Sequence, residues 1–179
     1  MTTEEIVIAV ARLAGSLPVL RWPFWGGLIA ILMDQSDLFM MNLLHLGGVS
    51  DYQSFDKYLD QAYMLTFLAV AISWRGLDKN VSFGLYTYRL AGFLAFEATS
   101  ARWLLLVFPN FFESWFILTA ARHELDLDHR LGQRRVFAIG LGLVALKLFQ
   151  EYAVHYARWL DGFTAVEAVE AVWHFLTPF

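Results

Sequence analysis

An all-α, polytopic integral membrane bundle of about five to six transmembrane helices is the fold this sequence predicts, and three observations predict it. The chain is 58% apolar with a mean hydropathy of +0.49, which places it in the membrane class. Its apolar residues run in blocks too long for strands and without strand-like alternation. Sixteen Phe, seven Trp and seven Tyr suit lipid contact and interfacial anchoring, and backbone groups in lipid demand helices or closed barrels. The 179 residues fit one domain.

Each element has its own signal. Residues 1–20 read as a short or interfacial helix, interrupted by Arg12. Arg21-Trp22-Pro23 punctuates, and Pro23 suits the first turn of a helix over 23–45. Gly47-Gly48 allows a reversal into a helix over 53–74, and Arg75, Asp78, Lys79 and Asn80 read as a polar loop. A helix over 83–98 follows, which Thr99-Ser100 either breaks or bends. Another covers 102–121, interrupted by Pro109, so that residues 21–121 are the helices carrying the acid cluster. The stretch 122–135 reads as a polar loop, 136–160 as the last span, and 164–175 as a short surface helix with Glu167 and Glu170.

Composition excludes several functions. A net charge of −4 with no basic run argues against nucleic-acid binding. The absence of cysteine rules out disulfides, thiolate zinc and thiol catalysis. The acidic start MTTEE and Arg12 argue against a cleaved signal peptide. The expected location is a multi-pass position in a prokaryotic inner membrane, with the lipid bilayer as first partner.

The chemistry points to four acids. Asp34 and Asp37 are three apart and Asp56 and Asp60 four apart, spacings that put each pair on one helix face. Acids in lipid-buried helix mark functional sites by default, and two such faces on neighbouring helices suit one shared cation. Unneutralised, the carboxylates would repel strongly, so they bind a hard cation, share protons, or meet basic partners such as Lys57, Arg89 or Arg102. Oxygen-only ligands favour Mg²⁺, Mn²⁺ or Ca²⁺. His45 returns to nearly the face of Asp34 three turns on and joins the candidate substrate-binding residues.

The string DQSDLFMMNLLHLGGVSDYQSFDKYLD resembles the motif of the CDP-alcohol phosphatidyltransferases, D-x2-D-G-x2-A-R-x8-G-x3-D-x3-D. The resemblance implies Mg²⁺ or Mn²⁺ held by Asp34, Asp37, Asp56 and Asp60, with Asp60 as general base toward an acceptor hydroxyl. It departs from the motif at Leu38, Met41, Asn42 and Tyr52, the positions at which the family's nucleotide approaches.

Other marked residues carry paired readings. Asn110 and Glu113, beside Pro109, either complete a polar pocket with the aspartates or form an ordinary helix end. Arg89 either pairs with the acids or holds a substrate phosphate. Lys147, Glu151, His155 and Arg158 form a polar stripe on one helix, which faces other helices, water or a homodimer or membrane-complex partner, with Lys147-Glu151 able to neutralise each other. The functional expectation is a metal-dependent phosphotransferase acting on a phosphate-bearing lipid or alcohol. The alternatives are a non-catalytic structural subunit of a membrane complex and a small ion-coupled transporter.

Overall fold

The computed structural model describes residues 2–36, 52–101, 103–153, 173 and 177. Every regular element among them is helical. In chain order these are α1 (Thr3–Ser16), a 3-10 turn (Leu17–Leu20), α2 (Pro23–Gln35), α3 (Tyr52–Ala71), α4 (Leu77–Thr99), α5 (Trp103–Val107), α6 (Phe111–Leu125), α7 (Leu127–Leu131) and α8 (Gln133–Glu151).

Local chemistry sets the ends. The Thr2 hydroxyl accepts from the Glu5 amide at 3.2 Å while the Glu5 carboxylate accepts from the Thr2 amide at 2.9 Å, a reciprocal cap that satisfies two orphan donors at the start of α1. Pro23 opens α2 as its missing N–H predicts, and the next amide, of Phe24, donates to the Glu124 carboxylate at 3.0 Å. Ser100 adopts φ 54° and stops α4, so Thr99-Ser100 is a break. Pro109 separates α5 from α6, and Asn110 caps α6 by accepting from the Glu113 amide at 3.3 Å.

Two polar stretches read as loops are more helical than their composition suggests. Asp78, Lys79 and Asn80 lie in the first turn of α4, where an acid is favoured by the helix dipole. Asp78 also accepts from Arg122 Nη1 at 3.1 Å, and Arg122 Nη2 reaches Asp128 at 2.9 Å. These pairs tie the start of α4 to the end of α6 and to α7. They are partly exposed and add little stability on their own.

The core is aromatic and lies between α2, α3, α4 and α6. Phe67, Phe112, Phe116 and Met64 are fully buried, with Tyr63, Tyr86, Val19, Ala30, Ala71 and Ala120 around them. Phe67 and Phe116 stack at 4.1 Å between ring centroids, and Trp74 stacks on Phe116 at 5.2 Å. On α3 the buried positions 60, 63, 64, 67 and 71 recur at helical spacing, so one stripe of this helix carries both an acid and the aromatic core.

The all-α reading stands, but the polytopic membrane reading is corrected. Among the described residues no helix is long and apolar enough to cross a membrane. A span needs about 20 consecutive, mostly apolar residues. Here α1, α2 and α6 have 14, 13 and 15 residues. The longer helices are interrupted by charge: Asp56, Lys57 and Asp60 in α3, Asp78, Lys79, Arg89 and Glu97 in α4, and Arg134, Arg135, Lys147 and Glu151 in α8. The apolar blocks of the sequence were joined across the 3-10 turn and across Pro109. The five to six transmembrane helices, the multi-pass inner-membrane location and the intramembrane setting of the acids fall with this finding. The Gly47-Gly48 turn and the 164–175 helix lie outside the described residues.

Glycine marks one close approach. At Gly26 a Cβ would overlap the Pro18–Val19 backbone, whereas Gly142 has nothing within 4 Å of a Cβ. Gly26→Ala is predicted to destabilise the fold by about 1–3 kcal/mol. Gly142→Ala is predicted to be neutral or to stabilise by up to about 1 kcal/mol. Urea unfolding of the two variants checks the contrast.

Candidate functional site

Two helices, α2 and α3, deliver acids to one point, and a third, α1, supplies the counter-charge. On α1 the buried positions are Glu4, Glu5, Ile8, Arg12 and Ser16, so Arg12 faces inward. Its side chain is 2% exposed. Arg12 Nη1 donates to Asp56 Oδ1 at 2.9 Å and Nη2 to Asp60 Oδ1 at 2.9 Å, and Nη2 also donates to Asp34 Oδ1. One planar guanidinium thus joins α1 to α2 and, twice, to α3. Lysine, with a point-like ammonium, lacks the fork this requires.

A second arginine closes the far side. Arg89, buried on α4, places Nη2 3.6 Å from Asp60 Oδ2. Its Nη1 donates at 2.9 Å to the Phe108 carbonyl, which is left over where α5 ends before Pro109. Arg89 thus pairs with Asp60 and caps a free carbonyl in this structure.

Beside this lies a smaller polar group. The Tyr63 hydroxyl donates to Glu113 Oε2 at 3.0 Å, and Asn110 Nδ2 donates to the same oxygen at 3.1 Å and to the Tyr63 oxygen at 3.2 Å. Lys147 Nζ stands 3.7 Å from Glu113 Oε2 and donates to Gln150 at 3.2 Å. Tyr63 is three residues beyond Asp60 on the same helix face, so the two groups adjoin. Burial, then the charge of Glu113, pushes the Tyr63 hydroxyl well above its ordinary value, and it acts as a hydrogen-bond donor only.

Burial and like charge set the protonation state of one member. Burial, then repulsion from Asp60, pushes Asp34 from about 3.8 up to about 9, against the lowering effect of Arg12. Asp34 accordingly holds a proton at neutral pH.

The predicted site residues divide accordingly. Asp34, Asp56 and Asp60 are brought together, and Asn110 and Glu113 form a hydrogen-bonded group with Tyr63 next to them, with Asn110 also capping α6. Asp37 and His45 lie outside the described residues. Lys147 faces inward to Glu113 rather than outward to a partner, and His155 and Arg158 of its stripe also lie outside them. The sequence reading missed Arg12, Tyr63 and Lys147 as members. The signal for Arg12 was present: Glu4, Ile8, Arg12 and Ser16 recur every four residues, which defines an inward face.

One carboxylate oxygen from each of Asp34, Asp56 and Asp60 lies within 4.8 Å of the others, close enough for a shared metal. With the Arg12 guanidinium on all three, however, the set does not fit a divalent ion as it stands. The class this fold and site define is an all-α protein built round a buried arginine–carboxylate cluster. No family model, no curated protein and no solved structure matches the chain.

Two outcomes follow for stability. Arg12→Leu leaves buried carboxylates without their shared partner and is expected to cost about 3–5 kcal/mol. Asp34 binds a proton in the folded state that the unfolded chain releases near pH 3.8. Stability should therefore fall as pH rises from about 4 to about 9, by at most about 1.4 kcal/mol per pH unit. Asp34→Asn should remove that slope, measured by denaturant unfolding at several pH values.

Proposed function

We propose that this chain is a non-catalytic helical component whose acids hold its own helices together. The observation that supports it is the contact of one buried guanidinium with Asp34, Asp56 and Asp60 at once. Desolvating such groups costs several kcal/mol each and is offset only when partners and hydrogen bonds are complete. The cluster therefore favours one arrangement of α1, α2, α3 and α4 over its alternatives. A divalent ion added to it would have to displace the Arg12 guanidinium from all three carboxylates.

A second reading is favoured by the 4.8 Å grouping of the three carboxylates. In it, Asp34, Asp56 and Asp60 hold Mg²⁺ or Mn²⁺ after Arg12 withdraws, and the chain acts on a phosphate-bearing substrate in the manner of the phosphatidyltransferases it resembles. Asp60 would then be the base.

Thermal unfolding with and without Mn²⁺ separates the two. On the first reading the wild type is unmoved by the ion, while Arg12→Gln, which frees the acids, is stabilised by about 2.7 kcal/mol at a hundredfold excess over its Kd. A wild-type shift that Asp56→Asn abolishes would overturn the first reading in favour of the second.

A further inference from the structure

Surface cations gather at one end of the bundle. Among the described side chains Arg12, Arg89 and Lys147 are buried, and the exposed cations are Arg21, Arg75, Lys79, Arg130, Arg134 and Arg135. Contacts place their elements side by side. The Phe24 amide meets Glu124 at 3.0 Å, joining the start of α2 to the end of α6. Trp74, just past α3, stacks on His123 at 5.5 Å, and Asp78 at the start of α4 holds Arg122 at 3.1 Å. Arg122 also holds Asp128 of α7 at 2.9 Å, and α8 begins two residues after α7 ends. With Arg122 this end carries seven lysines and arginines against four acids, Asp78, Glu124, Asp126 and Asp128. Its net charge is +3 with His neutral, in a chain whose total is −4. None of the six exposed cations has a carboxylate partner among the described residues. Arg134 and Arg135 even occupy the first turn of α8, which holds no acid and no side-chain cap, although the helix dipole disfavours cations there.

We propose that this end of the molecule seats on a surface of anionic phospholipid headgroups. The contact is made from one side and requires no helix of spanning length. Charge complementarity sets the sign of the partner, because unpaired cations concentrated on one end of an acidic chain meet a field of opposite charge there. What stands beside the cations sets its kind. Arg21 is followed by Trp22 and Trp25, Arg75 and Lys79 flank Leu77, and Arg134 and Arg135 precede Phe137, and these four apolar side chains are 58%, 55%, 72% and 67% exposed. A lipid surface receives both sets, with phosphates at the level of the cations and the acyl boundary beneath for Trp, Leu and Phe. A free phosphate calls for donors converging on one point, whereas these are spread over three helix starts. A nucleic acid would neutralise the cations and leave Leu77 and Phe137 in water. The contact uses no residue of the Arg12 cluster, so it goes beyond the structural reading, and either can fail alone.

Flotation of the full-length protein with vesicles tests this. The wild type should float with phosphatidylcholine vesicles holding about 30% phosphatidylglycerol and stay behind with phosphatidylcholine alone. Salt at roughly 1 M, where the screening length falls to about 3 Å, should release most of it. Each cation near such a surface is worth roughly fivefold in partitioning, so Arg134→Gln with Arg135→Gln should weaken binding about 25-fold. That pair relieves the first turn of α8 and is expected to fold. Ala91→Glu with Ala98→Glu, both exposed on α4, changes the net charge by the same amount. These positions lie roughly 20 and 30 Å along α4 from its start, so binding should stay within about twofold. Trp25→Ser should weaken binding several-fold, as a purely ionic contact would not. A wild type that ignores anionic vesicles, equal flotation with both compositions, equal losses in the two double variants, or no loss in Trp25→Ser would each overturn the proposal. Poly(U) bound more tightly than the anionic vesicles, and lost in the Arg134 and Arg135 variant, would assign the cations to nucleic acid instead.

Discussion

The guanidinium of Arg12 is the point from which the arrangement of the helices is set. It contacts carboxylates on two other helices, one of them twice, and Arg89 from a fourth element steadies the same Asp60. Taken out of water, each of these ions costs several kcal/mol, and only mutual contact offsets that cost. A rotation of α1 by one residue would turn Arg12 by about 100°, away from all three acids. Apolar packing tolerates such slips more readily than a buried charge does. The cluster thus specifies register where the surrounding Phe and Met side chains supply driving force without direction.

That cluster also explains why charge is found inside and apolar surface outside on α1 and α2. Glu4, Glu5 and Arg12 share the inward face of α1 with Ile8 and Ser16, and its other apolar residues, among them Ile6, Val10 and Leu13, face outward. The aromatic core is displaced toward α3, α4 and α6, where Phe67, Phe112 and Phe116 pack. On α3 the two regimes meet within a few residues, Asp56 and Asp60 at one end of a stripe that becomes Tyr63, Met64 and Phe67. Tyr63 is the junction, apolar in body and hydrogen-bonded at its tip to Glu113.

How much was legible varies by residue type. The pairing of Asp56 with Asp60 was legible because i, i+4 spacing fixes a shared helix face whatever lies opposite. Pro23 and Pro109 marked a helix start and a break because ring geometry and the missing N–H act locally. Apolar length, by contrast, misled. Leucine-rich stretches on either side of a bend read as one run, and only the backbone shows that Ser16 and Phe108 stop their helices short of a membrane's thickness. Lys147 needed the fold as well, because its stripe could face other helices, water or a partner, and its packing beside Glu113 on another helix shows the first.

The sequence by itself determined that the chain is helical, that it lacks thiol chemistry, and that Asp34, Asp56 and Asp60 act as a group. These follow from composition and from periodicity, which are properties of the chain read along its length. Only the tertiary structure decided what the group is bound to. The partner of Asp56 lies 44 residues away in Arg12, and no local rule connects positions so distant. Whether three carboxylates meet a metal ion, a proton or an arginine depends on which helix packs against them, and that is a property of the fold.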